Sequence, residues 1–207
     1  MPRGSGGRDW LAERRTEIAA DRILDAAGAL FADRDPTAIG MNEIARAAGC
    51  SRATLYRYFD SREALRTAFV HREARRLGKE ILSGIEGIAD PADRLIAGIL
   101  TSLRAVRENP ALAAWFGSTR LPIGGELAAQ SEVITALAAG FLSTVKRDLP
   151  PVPDQMAGHT DPAALQRHAR WTVRVIVSLL MFPGTSDADE QALIAEFVAP
   201  VLTLSRT

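Results

Sequence analysis

Residues 41–59 read MNEIARAAGCSRATLYRYF, and this stretch decides the fold. It reads as a helix, a tight turn and a second helix. Ile44 and Ala48 stand four apart, on one face of the first helix. Ala45, Ala47 and Ala48 are small enough to let two helices cross closely. Gly49 offers the positive φ that a helix C-terminus favours. Ser51 is placed to cap the next helix by accepting a backbone N–H from its first turn. Leu55 and Phe59 share the inner face of that second helix. Cys50, in the turn, is expected to fill space as a small apolar group rather than to act as a redox thiol.

The other face of the second helix has a different chemistry. Arg52 and Tyr56 are four apart, as are Ala53 and Arg57, so all four line one outer surface. A helix carrying a bare alanine beside arginines can enter the DNA major groove, where the small side chain permits close approach. Arg52 and Arg57 can then reach guanine O6 and N7 or phosphates. Tyr56 and Tyr58 offer phenolic donors to phosphate oxygens, and the helix N-terminus at Ser51–Ala53 favours phosphate too. Arg62 opens the following helix near the same surface. A plain surface hairpin with solvated charges is the competing reading. The glycine, the serine cap, the inner Leu/Phe pair and the outer Arg/Tyr set coincide in one stretch, which favours DNA.

The whole-chain numbers are compatible with this. The chain has 207 residues, enough for one or two domains with a real core. Apolar residues make up 47% and charged residues 24%, ordinary for a globular protein. The net charge is zero but unevenly distributed. Residues 1–79 hold 15 Lys and Arg against 11 Asp and Glu, a net +4; residues 80–207 hold 10 against 14, a net −4. A basic front and an acidic back suggest that the front meets an anionic partner. A single cysteine excludes an internal disulfide framework and fits a reducing compartment. No apolar run approaches the ~18 residues of a membrane span. The opening MPRGSGGRDW lacks the apolar core of a signal peptide, so a cytoplasmic location and no membrane partner are expected.

The periodicity is helical throughout, giving an all-α fold class. A Gly- and Arg-rich arm over 1–15 is expected to be flexible. A first helix is predicted from about Thr16 to Asp33, ended by Asp35-Pro36. Short helices follow over Met41–Ala48 and from Arg52, and a longer one from Arg62 to about Glu86, with Leu77, Ile81 and Ile85 inward. Asp90-Pro91 and Asn109-Pro110 each open a helix. Pro122 to Gly125 reads as a turn before one long helix to about Arg147. DLPPVPDQMAGHTDP (148–162) is a Pro-rich loop. Two apolar helices, Ala163–Phe182 and Asp187–Leu204, close the chain.

The stretch IARAAGCSRATLYRYFDSREAL (44–65) closely resembles the TetR-type transcriptional regulators, and IAADRILDAAGALFADR (18–34) resembles that family's first helix. The close resemblance covers about residues 16–70; the remainder matches in length and helical layout. It implies a homodimer. Each subunit would have a three-helix DNA-binding head, residues 16–61, and a larger helical-bundle body, residues 62–207, for ligand binding and dimerisation. Carried over by position, it implies that Ser51, Arg52, Ala53, Tyr56, Arg57, Tyr58 and Arg62 lie at the DNA. Three departures stand out. Met41 replaces a hydroxyl residue at the start of the second helix, so a phosphate contact there is lost or passes to Asn42. Cys50 replaces a valine. Asp35-Pro36 stands near a usual glycine.

In the body, the Arg62–Glu86 helix runs from the basic head and is the natural lever between a ligand and DNA. RWTVRVIVSLLMF is apolar on nearly every side, as is QALIAEFVAPVLTL, so both must be covered on more than one face. Ile176, Leu180, Phe197 and Val201 are the candidate dimer contacts, in a four-helix interface; a monomeric bundle with an apolar core is the alternative. Trp115, Phe116 and Trp171 are candidate walls of a small-molecule pocket, although aromatics so spaced can equally be core. Arg104 and Arg174 could meet an anionic ligand or simply be solvated. His71, His159 and His168 fit no compact metal motif. No catalytic motif, metal set or cofactor fingerprint is present, so no enzyme is expected. The sequence reads as a regulator, most simply a repressor that a small-molecule effector releases from a pseudo-palindromic double-stranded operator. An activator of the same fold, or a helical interaction protein with a decayed head, are the alternatives.

Overall fold

The computed structural model describes residues 6–117, 123–146 and 162–203, and every element among them is helical. The first five residues of the expected arm, and the Pro-rich stretch 148–161 with His159, lie outside the described residues. The chain divides into two units, Met1–Val70 and His71–Thr207.

The first unit contains α1 (Gly6–Asp33), α2 (Met41–Ala47), α3 (Arg52–Tyr58) and the opening turns of α4 (Arg62–Gly84). On α1, Ile23, Leu24, Ala27 and Phe31 recur at helical spacing and are all buried. Ile39, Ile44, Leu55, Leu65 and Phe69 are buried in the same unit. Phe31 and Phe69 meet edge to face, with centroids 5.1 Å apart. Gly28 is required beside them, because a Cβ there would stand 2.9 Å from the Phe69 ring.

One expectation is corrected. Helix α1 begins at Gly6, not near Thr16, because Leu11, Ala12, Glu13 and the Arg14–Arg15 pair are good helix formers that carry it upstream. The two compact units divide inside α4, after Val70. Leu65 and Phe69 are buried, and Phe69 is tied to Phe31 of α1, so the first turns of α4 belong to the head.

The second unit holds the rest of α4, then α5 (Pro91–Glu108), α6 (Pro110–Ala113), α7 (Ile123–Gln130), α8 (Glu132–Lys146), α9 (Pro162–Met181), α10 (Asp187–Leu193), a π-helical turn (Ile194–Val198) and α11 (Ala199–Thr203). Both sequence breakers act as read. Asp90 accepts the Asp93 N–H at 2.9 Å ahead of Pro91, and Asn109 accepts the Ala111 N–H at 3.0 Å ahead of Pro110. The core is built on α5. Leu95, Ile99 and Leu103 pack with Leu142 and Val145 of α8, Ala169 of α9, and Ile194 and Val198 of the π turn. On α4, Leu77 and Ile81 are half-buried, and Ile85, just past its end, is buried.

The one long helix expected after Pro122 is instead two, α7 and α8, bent by 66°. Helix is already present from Ile123, where a turn was expected. Ser131 makes the break: its hydroxyl accepts the Ile134 N–H at 3.2 Å, capping α8, and meets His71 Nε2 at 2.8 Å. The final helix also departs from regularity. Pro200 has no N–H to give to a carbonyl four residues back. The turn just before it widens, so that the Ala199 N–H reaches Ile194 O, five residues back.

Charged groups tie the ends of these helices. Arg107 of α5 forms a two-pronged pair with Glu190 of α10, at 2.8 and 2.6 Å, and donates to Leu179 O of α9 at 3.0 Å. Glu190 also accepts the Gly184 N–H at 3.0 Å. These bonds to the ionised form, Arg107 first, hold the Glu190 carboxyl below its ordinary pKa despite burial. Arg94 satisfies the Ile88 carbonyl at 3.0 and 2.7 Å and reaches Thr144 O at 3.2 Å.

Candidate nucleic-acid interface

Helix α2 ends in a turn that glycine makes possible. Gly49 has φ +69°. The Cys50 N–H bonds Ala45 O at 2.9 Å and the Gly49 N–H bonds Arg46 O at 3.1 Å, the paired bonds of a Schellman ending. The chain is thereby reversed within three residues. Ser51 then caps α3 as the sequence indicates: its Oγ accepts the Thr54 N–H at 3.0 Å. The Thr54 hydroxyl lies 2.9 Å from the same oxygen, a partner the sequence reading did not single out.

Helix α3 has two unlike faces. Leu55 is fully buried and Phe59, which ends the helix in an extended conformation, is buried beside it. Ser51, Arg52, Ala53, Tyr56 and Arg57 are exposed, and Tyr58 is half-buried. Two cation–π contacts organise this face. The Arg52 guanidinium lies 5.3 Å from the Tyr56 centroid, and the Arg57 guanidinium 5.4 Å from that of Tyr58. Six of the seven candidate DNA residues are therefore gathered on α3 and its cap. The seventh, Arg62, is exposed at the first residue of α4, donates to Thr37 O at 3.4 Å and pairs with Glu63 at 3.6 Å.

Around α3 stand further residues of α1 and α2. Met41 is buried, and Gly40 precedes α2 without a side-chain cap. Asn42 and Arg46 are exposed on α2. Arg22 of α1 places its Nη2 3.8 Å from where a Gly49 Cβ would be, at the α2–α3 turn. No local motif flags Arg22, since its neighbour lies 27 positions on. Cys50 is half-buried, between the plug expected of it and a free surface thiol.

In the second unit the three candidate pocket residues are not alike. Trp115 is 1% exposed and packs against Gly124, where a Cβ would stand 2.8 Å from the tryptophan. Phe116, next to it, is half-buried. Trp171 is 46% exposed and lines a shallow groove of about 400 Å³ with Arg174, Val175, Leu193 and Phe197. Trp171 thus joins Phe197 rather than Trp115. Leu193, Phe197 and Val201 are exposed along the last helix at 39%, 59% and 51%, whereas Ile176 and Leu180 are half-buried against the core. Arg104 is exposed, and no group of three or more metal-binding side chains occurs among the described residues. His71 is held toward its neutral form by burial and then by Arg75; His168 by burial and then by Lys146, whose Nζ is 3.1 Å from its Nδ1.

Comparison with known proteins places this arrangement. The family model for bacterial regulatory proteins of the tetR family matches residues 23–69, the span from α1 into α4. An uncharacterised HTH-type transcriptional regulator of Mycobacterium tuberculosis is 64% identical over 197 residues, covering 95% of this chain and 92% of that one. The regulator AlkX of the same species is 27% identical, covering 91% and 87%. Among solved structures, the TetR family repressor AlkX from Dietzia superposes with TM-score 0.63 at 24% identity, over 87% of this chain and 93% of that one. RolR in complex with resorcinol superposes at 0.63 and 17% identity, over 88% and 86%. These likenesses support the all-helical fold, and the family is one of regulators rather than of enzymes. No single helix among the described residues is long and apolar enough to cross a membrane. With its helix-turn-helix geometry and a relative matched over nearly its full length, the chain belongs to the TetR family of bacterial regulatory proteins and is a DNA-binding transcriptional regulator.

Proposed function

We propose that the protein is a cytoplasmic homodimeric repressor that is released from its operator by a small molecule. The observation that carries this reading is the two-faced helix α3. Leu55 and Phe59 anchor it while Arg52, Tyr56 and Arg57 project outward. Each head places α3 in a major groove, with the arginines at base edges and the tyrosine hydroxyls and Ser51 at phosphates. Two-fold symmetry puts two heads on half-sites about one helical turn, or a multiple of it, apart on a pseudo-palindrome.

The exposed apolar residues Trp171, Leu193, Phe197 and Val201 support dimerisation through α9 and the last helix. Ile176 and Leu180, half-buried, border that face. Trp171 is accordingly reassigned from pocket wall to dimer contact. Trp115 and Phe116 remain the candidate walls of an effector site in the body. That the structurally similar RolR was crystallised with resorcinol is in keeping with a small aromatic or apolar effector class. The effector acts through α4 and releases DNA only by binding the released form more tightly.

The experiment is a titration of purified protein against duplexes selected from random DNA, at several salt concentrations. The reading expects a palindromic consensus and a steep fall of affinity with salt. Absence of any selected sequence would overturn it.

A further inference from the structure

Arg66 is buried, 8% exposed, although it is an arginine one turn into α4. Its Nη2 donates to the Pro36 carbonyl, and its Nε is buried with no hydrogen-bond partner. An aliphatic side chain would fill the same volume without an unsatisfied N–H. Burial and the neighbouring Arg62 both work against its charge; Glu63 and Asp35 work for it. Packing alone therefore gives no reason for arginine here.

The carbonyl it serves belongs to a pre-formed turn. The Asp35 carboxylate accepts both the N–H and the hydroxyl of Thr37, each at 2.7 Å, and the Ala38 N–H bonds Asp35 O at 3.0 Å. Adjacent carbonyls, Pro36 and Thr37, are offered to residues four apart on α4: Arg66 takes the first and Arg62 the second. Across the same loop, Arg34 at the end of α1 pairs with Glu43 of α2.

We infer that Arg66 is a positioning residue for operator binding, fixing the α1–α2 loop on α4 so that Arg62 is presented at the DNA face. This rests on the reading of Arg62 as a phosphate contact. Arg66 itself is covered and touches no DNA. It holds Pro36, and the loop so held keeps Thr37 O where the Arg62 guanidinium finds a long 3.4 Å rest. A bond of that length is weak, so phosphate can take the guanidinium over without a rearrangement of the loop.

The test is a double-mutant cycle, Arg62→Ala against Arg66→Met, read as operator affinity and its salt dependence. Arg62→Ala alone is expected to lower the log–log salt slope by about 0.9, one phosphate contact. Arg66→Met is expected to weaken the operator about tenfold, the size of one charged hydrogen bond, and to lower the slope by the same amount although it meets no phosphate. In the Arg62→Ala background it is expected to add little. A general loss of stability would lower the thermal midpoint and leave the slope of the folded fraction alone. An unchanged slope, or effects that simply add, would overturn the inference. Should Arg66→Met fail to fold, Arg66→Gln, which loses the charge and the long guanidinium, takes its place in the same cycle with the same two outcomes. Failure of the unsubstituted chain to select any duplex, or an unchanged slope in Arg62→Ala, would instead overturn the DNA-contact reading on which this one stands.

Discussion

The Arg52 guanidinium stacks over the Tyr56 ring, 5.3 Å from its centroid, across one turn of α3. The pair is exposed, so the stack contributes only about 0.5–1 kcal/mol. Its consequence is orientation: the arginine fork is held against a planar surface before any base arrives. Tyr56→Phe keeps the ring and is expected to retain base preference, losing only the phenol's phosphate bond. Tyr56→Ala should blur selectivity at the base that Arg52 reads. Arg52→Ala should cost more, about 1–3 kcal/mol at that position. Competition titrations with single-base operator variants separate the three.

Gly49 sets the angle between α2 and α3. Its φ of +69° is a conformation that side chains resist, while the space around it is open apart from Arg22 at ordinary contact distance. Gly49→Ala should therefore cost about 1–2 kcal/mol through the backbone alone, and Gly49→Asn less. Chemical denaturation of the two variants gives the order directly; equal stability of Gly49→Ala and the unsubstituted chain would contradict the geometry.

The Arg107–Glu190 pair holds α5, α9 and α10 together. Glu190→Ala leaves the Gly184 N–H without its acceptor and Arg107 with Leu179 O but no carboxylate, and should destabilise the body by about 3 kcal/mol. Because the Glu190 carboxyl is held below its ordinary 4.5, its contribution is full above that value and is lost as pH falls through the folded value. Thermal melts from pH 7 down to pH 3 should show the largest loss at the acid end, and Glu190→Gln should remove that part of the slope.

At milder acidity the histidines act. His71 and His168 are both shifted below 6.5 by burial, so the unfolded chain takes up protons first. Stability is thus full above pH 6.5 and declines as pH falls from there through the folded values. His71→Asn cannot titrate and leaves an amide facing Ser131. It should flatten the decline between pH 7 and 5. A decline as steep as in the unsubstituted chain would show that His71 is not its source.

Phe197 is 59% exposed on the last helix and borders the Trp171 groove. A charge there should be harmless to the monomer and incompatible with an apolar interface. Phe197→Asp is expected to sediment as a monomer with unchanged helicity and to bind operator at least tenfold more weakly, since two heads no longer act together. A variant that sediments as a dimer would move the interface elsewhere.

What the sequence made legible was local. The Gly49 turn, the Ser51 cap and the two faces of α3 each depend on residues within a few positions of one another, and all stand in the structure as read. The same holds for the Asp90 and Asn109 caps. Features set by distant partners were not legible. The 66° bend at Ser131 is fixed by a hydroxyl that also meets His71, sixty positions upstream. Trp115 and Trp171 look equivalent in sequence, yet Gly124 covers one and the other is open beside Phe197. Arg66, on which no local pattern in the sequence bears, is buried with Pro36 O, thirty positions earlier, as its acceptor. The Phe31–Phe69 stack, which ties the first turns of α4 to α1, joins residues 38 positions apart.

The central claim is that the outer face of α3 reads duplex DNA, and Arg57 tests it most directly. Arg57→Ala leaves Leu55 and Phe59 in place, so the helix keeps its seat. The measurement is operator affinity of this variant against the unsubstituted protein, on the selected duplex and on its single-base variants, across a range of salt. At least a tenfold loss on the selected duplex and a relaxed preference at one base position are expected. A variant that binds with undiminished affinity and an unaltered ranking of sequences would contradict the claim.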